Sequence, residues 1–280
     1  LPKTFAMLDH FVEMGGTAID TAYVYGTEQR VGQWLKARDI REHMVVIGEG
    51  AADTDATPDM VTEHLTTSLE RMGVDYFDVY LMHRDNTDVP VAEFVECLNE
   101  HKKAGRIRAF GGSNWTIARL REANEYARSK GLTPMAANSP NFTLAVWNEP
   151  MWFDCVQAVD EPSLAWHRET DMPLLAWSSQ ANGFFTGAFR PEHRDDPKLR
   201  EIARVWFNDE NFKRLDRVLE LARKKNVTGI QIALAYVLAQ PLNIYALIGP
   251  RSIEEMRTSA QARRVQLTED ERKWLNLETD

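Results

Sequence analysis

The stretch that decides the fold is Thr57–Asn114, TPDMVTEHLTTSLERMGVDYFDVYLMHRDNTDVPVAEFVECLNEHKKAGRIRAFGGSN. It contains two kinds of segment in strict alternation. Thr57–Met72 and Val89–Lys103 carry apolar residues three and four apart, which is helical spacing. FDVYLMH at 77–83 and RAFGGS at 108–113 are short apolar runs bounded by turn residues, which suits strands covered on both faces. Thr57-Pro58-Asp59 places a cap, a proline and an acid where a helix starts.

The same alternation extends in both directions. Further strands are expected at TAID 17–20, MVVIG 44–48, PMAANS 134–139, PLLAWS 173–178 and IYALIG 244–249. Further helices are expected at Pro2–Met14, Thr27–Ala37, Thr116–Ser129, Asp209–Lys225, Gly229–Ala239 and Ser252–Arg263. Such alternation predicts an α/β protein with a parallel sheet and outer helices. Seven strands after an opening helix suggest a (β/α)8 TIM barrel whose first strand lies upstream of Leu1, with residues 1–280 as a single barrel domain. An open doubly wound sheet is the competing architecture. Gly48-Glu49-Gly50-Ala51-Ala52-Asp53 approaches a dinucleotide fingerprint, but its third glycine is an Asp and a loop follows. Two stretches interrupt the alternation, the Trp-rich 141–171 and the polar 180–208. Both are expected to be loops carrying substrate contacts.

Composition narrows the function. The chain has 280 residues, 33 Lys and Arg against 42 Asp and Glu, and a net charge of −9. That balance disfavours nucleic acid and anionic membranes as partners. Two cysteines make no disulfide framework or metal spacing. No segment approaches a membrane span, so a cytoplasmic protein is expected.

Polar residues collect at every strand end: Asp20 to Tyr25, Glu49, His83-Arg84-Asp85, Ser113-Asn114, Asn138, Trp177-Ser178 and Arg251-Ser252. In a barrel, those ends form the active site. An acid, a tyrosine and a histidine there could donate a proton, polarise a carbonyl and orient each other.

These residues carry a resemblance. Gly15–Gly26 (GGTAIDTAYVYG), Leu81–Asp85 (LMHRD), Gly111–Trp115 (GGSNW), Ala176–Ser179 (AWSS) with Gly183 and Gly187, and Gly249–Ser252 (GPRS) resemble the signatures of the aldo-keto reductases, in order and spacing. The resemblance implies a barrel enzyme that uses NAD(P)H to interconvert a small carbonyl compound and its alcohol. It implies Tyr25 as proton donor, His83 as the group that polarises the carbonyl, and Asp20 as the residue holding their network. It places Ser113, Asn114 and Asn138 at the nicotinamide carboxamide and Trp177 against the nicotinamide ring. Ser178, Gln180, Asn182 and Gly183 would follow the pyrophosphate. Gly249, Arg251, Ser252, Glu255 and Ser259 would surround the adenosine end. The resemblance favours NADP(H), with Arg251 and Arg257 as candidate partners for its 2′-phosphate. Glu255 would repel that phosphate and suits NAD(H).

Arg84, Trp115, Trp147 and Trp152, with Phe142, are candidates to line the substrate pocket, and a sugar-like carbonyl compound is the expected substrate. One family residue is missing. The lysine that lowers the tyrosine pKa aligns with Gly50, or with Glu49 after a one-residue gap. Without a cation, a phenol stays near pKa ~10. Three readings follow. The protein is a reductase in which His83, as imidazolium, donates the proton, or Arg84 substitutes for the missing cation. Alternatively it runs another reaction, such as sugar oxidation or epimerisation, with Glu49 as base. Otherwise it binds NAD(P)H as a sensor or assembly subunit.

Overall fold

The computed structural model describes residues 2–280. The chain divides into two compact units, Leu1–Ser139 and Pro140–Asp280.

The first unit runs α1 (Pro2–Glu13), β1 (Ala18–Ala22), α2 (Glu28–Arg38), β2 (Val45–Gly50), α3 (Pro58–Met72), β3 (Phe77–Met82), α4 (Val91–Lys103), β4 (Ile107–Ser113), α5 (Ile117–Ser129) and β5 (Asn138–Ser139). Its strands pair in chain order and all in parallel. The α3 segment shows why the sequence folds this way. Thr57 accepts the Met60 amide at the N-terminus, and Pro58 needs no partner there. Gly73 ends the helix at φ 64°, and its amide returns to Leu69 and Glu70. One face buries Val61, Leu65 and Met72, and each such side chain contributes roughly 1.5–3 kcal/mol. Gly32 of α2 permits close approach to α3, because a Cβ there would sit 1.9 Å from the Met72 carbonyl oxygen.

The second unit contains α6 (Glu161–Thr170), β6 (Leu174–Ala176), α7 (Arg200–Trp206), α8 (Asp209–Lys225), α9 (Gly229–Leu238), β7 (Ile244–Ala246), α10 (Ile253–Gln261) and α11 (Glu269–Leu275). β6 and β7 pair in parallel. Phe184, Phe185, Trp206, Phe207 and Phe212 build much of its core.

All seven expected strands form, but three are shorter than the apolar runs suggest. PMAANS contributes only Asn138–Ser139. The Asn124 side chain accepts the Met135 amide and donates to its carbonyl, which removes that residue from the ladder. The expected loops at 141–171 and 180–208 contain helices α6 and α7, and α11 was not expected. No helix among the described residues is long and apolar enough to cross a membrane.

Candidate active site

In the first unit, the parallel register brings the ends of β1, β2 and β3 side by side. Ala22 faces Glu49, and Glu49 faces Leu81. Asp20 stands on β1, Glu49 on β2, and His83 follows β3. Tyr25 closes the one-turn helix Tyr23–Tyr25, and Gly26 turns the chain there at φ 65°. The Tyr25 ring meets His83 edge-on, 5.7 Å between centroids. Tyr25 is 51% exposed, so its hydroxyl-bearing ring is accessible to a substrate.

The register also separates the two alignments of the missing lysine. Glu49 is buried with Oε2 3.6 Å from Nδ1 of His83, and Asp20 is close enough for its charge to act on Glu49. Gly50 faces away. A Cβ at Gly50 would lie 1.9 Å from the Tyr80 hydroxyl and 3.0 Å from Cβ of His64. Glu49 alone therefore points to the Asp20–His83 cluster.

The surroundings bear on two expected roles. Burial, then the nearby Arg84 charge, lowers the His83 pKa to about 4, so the imidazole is neutral at physiological pH. An imidazolium donor does not fit this position. Burial, then the Asp20 charge, raises the Glu49 pKa well above the ordinary carboxylate range, against the opposing effects of Arg84 and Ser113. Burial thus favours the protonated form of Glu49. Burial raises Asp20 to about 7. Two carboxyl groups in one dry site cannot both ionise cheaply. Arg84 itself donates from Nη1 to the His83 carbonyl.

Ser113 and Asn114 end β4. The Ser113 hydroxyl donates to the Ser139 carbonyl, and the Asn114 amide donates to the His83 carbonyl. Asn114 adopts φ 60°, a left-handed conformation that asparagine tolerates better than most residues. Asn138 is buried at the start of β5, and Gly112 is its register partner. These three amide and hydroxyl groups are chemically suited to a carboxamide. Trp115 is not available to a substrate. It is fully buried, packs edge-on against Phe94 and donates to the Arg84 carbonyl.

The second unit carries the other candidates. Trp177 lies 6.2 Å from Trp147 and 5.7 Å from Trp152, centroid to centroid. Its Nε1 is buried with no hydrogen-bond partner among the described residues. Trp152 is 56% exposed, whereas Phe142 is buried in the core. After β6 the backbone takes left-handed conformations at Ser178, Ala181, Asn182 and Gly183. Within this turn the Ala181 amide donates to the Ser178 carbonyl and the Gly183 amide to the Gln180 carbonyl. The Gln180 amide donates to the Ser259 hydroxyl, which ties this turn to α10. Ser252 caps α10. Arg251 is paired with Glu255 through both its guanidinium and its backbone N–H, and Gly249 precedes them in an open position.

Several positioning residues were not anticipated. Arg119 of α5 grips Asp85 through Nε and Nη2 and also donates to the carbonyls of Asn86 and Val89. It fixes the loop that follows His83. His64 of α3 accepts the Ala51 amide and stacks on Tyr23 at 3.8 Å. It supports the turn that carries Tyr25. Neither residue lies in a motif, so only the packing reveals them.

Comparison with known proteins identifies the family and the fold. The model of the Aldo/keto reductase family matches residues 2–276. An aldo-keto reductase, str7, of Strobilurus tenacellus is 29% identical over 96% of this chain and 79% of its own length. Aldo-keto reductase yakc [NADP(+)] of Schizosaccharomyces pombe is 24% identical over 94% and 78%. Among solved structures, a thermostable aldo-keto reductase, Tm1743, in complex with the inhibitor epalrestat is 25% identical, with a TM-score of 0.76 over 99% of this chain and 87% of that one. An aldo-keto reductase from Klebsiella pneumoniae in complex with NADPH gives 0.74 at 23% identity over 99% and 84%. The fold class is the α/β barrel of these proteins, and the chain belongs to the aldo/keto reductase family of NAD(P)-dependent oxidoreductases.

Proposed function

We propose that the protein is an NADP(H)-dependent reductase of a small carbonyl compound, acting as one barrel domain. The observation that carries this reading is the convergence of Asp20, Tyr25, Glu49 and His83 at adjacent strand ends. A bound nicotinamide cofactor supplies the hydride. The Tyr25 hydroxyl donates the proton to the carbonyl oxygen, and neutral His83 polarises that oxygen through a ring N–H. Asp20 and Glu49 share the buried floor of this site.

Ser113, Asn114 and Asn138 bind the carboxamide, and Trp177 supports the nicotinamide ring. The turn Ser178–Gly183 follows the pyrophosphate. Arg251 and Arg257 attend the 2′-phosphate, with Glu255 weakening rather than abolishing that preference. The relative named for NADP(+) and the structure solved with NADPH support the choice of phosphate form. Trp147 and Trp152 offer aromatic faces to the substrate, which suit a sugar-like or aromatic carbonyl compound.

Titration with NADPH and NADH, followed by cofactor fluorescence, tests the reading. Tighter binding of NADPH and turnover of at least one member of an aldehyde and ketone panel between pH 5 and 9 are expected. Absence of binding to either cofactor overturns it. Binding without turnover would instead favour a sensor.

A further inference from the structure

We propose that Glu49, in place of the family's lysine, is a positioning residue that sets the tautomer of His83: its carboxylic acid donates to Nδ1, so the imidazole carries its hydrogen on Nε2. This rests on the reductase reading only for its consequence in catalysis. The placement itself follows from the packing.

Nδ1 of His83 is buried and makes no hydrogen bond among the described residues. Leaving such an atom unsatisfied costs on the order of 1–3 kcal/mol. The acidic group facing it is Glu49, whose Oε2 lies 3.6 Å away. A closure of a few tenths of an ångström makes the contact a hydrogen bond, and catalytic contacts commonly shorten when a site fills.

The direction of that bond depends on the groups around it. Asp20 on β1 is the second carboxyl, and its Oδ1 is also buried without a partner. Arg84 follows His83 and opposes a charge on the imidazole. Tyr25 lies at the ring edge, and Ser113 contacts Glu49 from β4. Asp20 and Glu49 cannot both be charged there, so a proton is retained on the pair. The imidazole has no proton to spare at Nδ1 if Nε2 is to act on a carbonyl. With Glu49 as donor, Nδ1 of His83 gains a partner and neither group of the contact carries a charge.

A lysine ammonium would have acted on the tyrosine by charge. Glu49 acts instead by orienting its neighbour. This accounts for how the site can hold an acid where the family signature has a lysine.

The test uses protein labelled with ¹⁵N at histidine, with His83 assigned by comparison with a His83→Gln variant. The expected spectrum shows a neutral His83 protonated on Nε2 from pH 5 to 8. Glu49→Gln, whose amide also donates, keeps that tautomer and holds kcat within about fivefold. Glu49→Leu loses the single tautomer and lowers kcat/KM on the order of 100-fold, while its circular dichroism matches the parent. A wild-type His83 protonated on Nδ1 overturns the proposal, as does a Leu variant with an unchanged tautomer. If Glu49→Leu does not fold, the wild-type and Gln spectra still decide. If the spectra are as expected but no carbonyl is reduced, the reductase reading fails and the tautomer assignment stands.

Discussion

The two units carry different kinds of candidate site residue. Leu1–Ser139 contributes ionisable groups held on strand ends: Asp20, Glu49 and His83, with Tyr25 on the turn beside them. Pro140–Asp280 contributes tryptophans and a run of left-handed backbone after β6. In the first, a paired parallel ladder fixes each group, and burial then changes its protonation. In the second, the candidates are ring faces and backbone N–H groups, which do not titrate. Chemistry that depends on pKa needs rigid, dry positions. Recognition of a ring or a phosphate needs surface and dipoles, which loops can supply.

Substitutions should divide along the same line. The largest effect is expected from Tyr25→Phe, which removes the donor hydroxyl. kcat should fall by roughly 10²- to 10⁴-fold, with cofactor affinity nearly unchanged by fluorescence titration. Unchanged turnover would exclude Tyr25 as donor and remove the catalytic character of the first unit.

Trp177→Ala should do the converse. Loss of an aromatic stacking face costs about 1–3 kcal/mol, so cofactor Kd should rise roughly 5- to 150-fold. kcat at saturating cofactor should change far less. An equal loss in kcat with unaltered Kd would move Trp177 out of the binding role.

Asp20→Asn tests the buried acid by stability. The folded state holds a proton on Asp20 up to about pH 7, whereas the unfolded chain releases it near ~4. A raised carboxyl pKa means stability is lost as pH rises through that interval. His83 works in the opposite sense. Its pKa is lowered to about 4, so the folded state rejects a proton that the unfolded chain binds below ~6.5, and stability rises with pH. The two slopes oppose each other in the parent. In Asp20→Asn the first slope is removed. The variant should therefore gain on the parent by about 1 kcal/mol or more between pH 5 and 8, measured by urea unfolding. A difference independent of pH would show that Asp20 ionises freely.

The smallest effect is expected at Glu255→Gln. This removes the carboxylate that pairs with the exposed Arg251. Exposed pairs are worth about 0.2–1 kcal/mol, so NADPH should bind up to about fivefold more tightly, with NADH unchanged or weakened. Equal gains for both cofactors would remove Glu255 from the choice between them.

Much of the fold was legible from local pattern. Every strand run between Thr17 and Gly249 contributes strand residues, because apolar runs bounded by turns leave few alternatives. The helices that escaped notice had readable starts. Asp160-Glu161-Pro162 caps α6, and Thr268 and Glu271 form a capping box for α11. Trp115 and Phe142 went astray for a physical reason. An aromatic after a strand looks the same in sequence whether it faces a pocket or the core, and here both are buried.

The sequence by itself determined the alternation of strand and helix, the placing of polar residues at strand ends, and the absence of a lysine between Lys36 and Lys102. Those are properties of residue order, and local hydrogen bonding with hydrophobic period is enough to express them. Only the tertiary structure decided that Glu49 and not Gly50 meets His83. Only it showed that burial lowers the His83 pKa and raises that of Glu49. Side chains alternate across a strand, so one residue of register moves a group from the site to the outer face. Protonation follows from desolvation and from charges brought near by folding, and neither exists until the strands are paired.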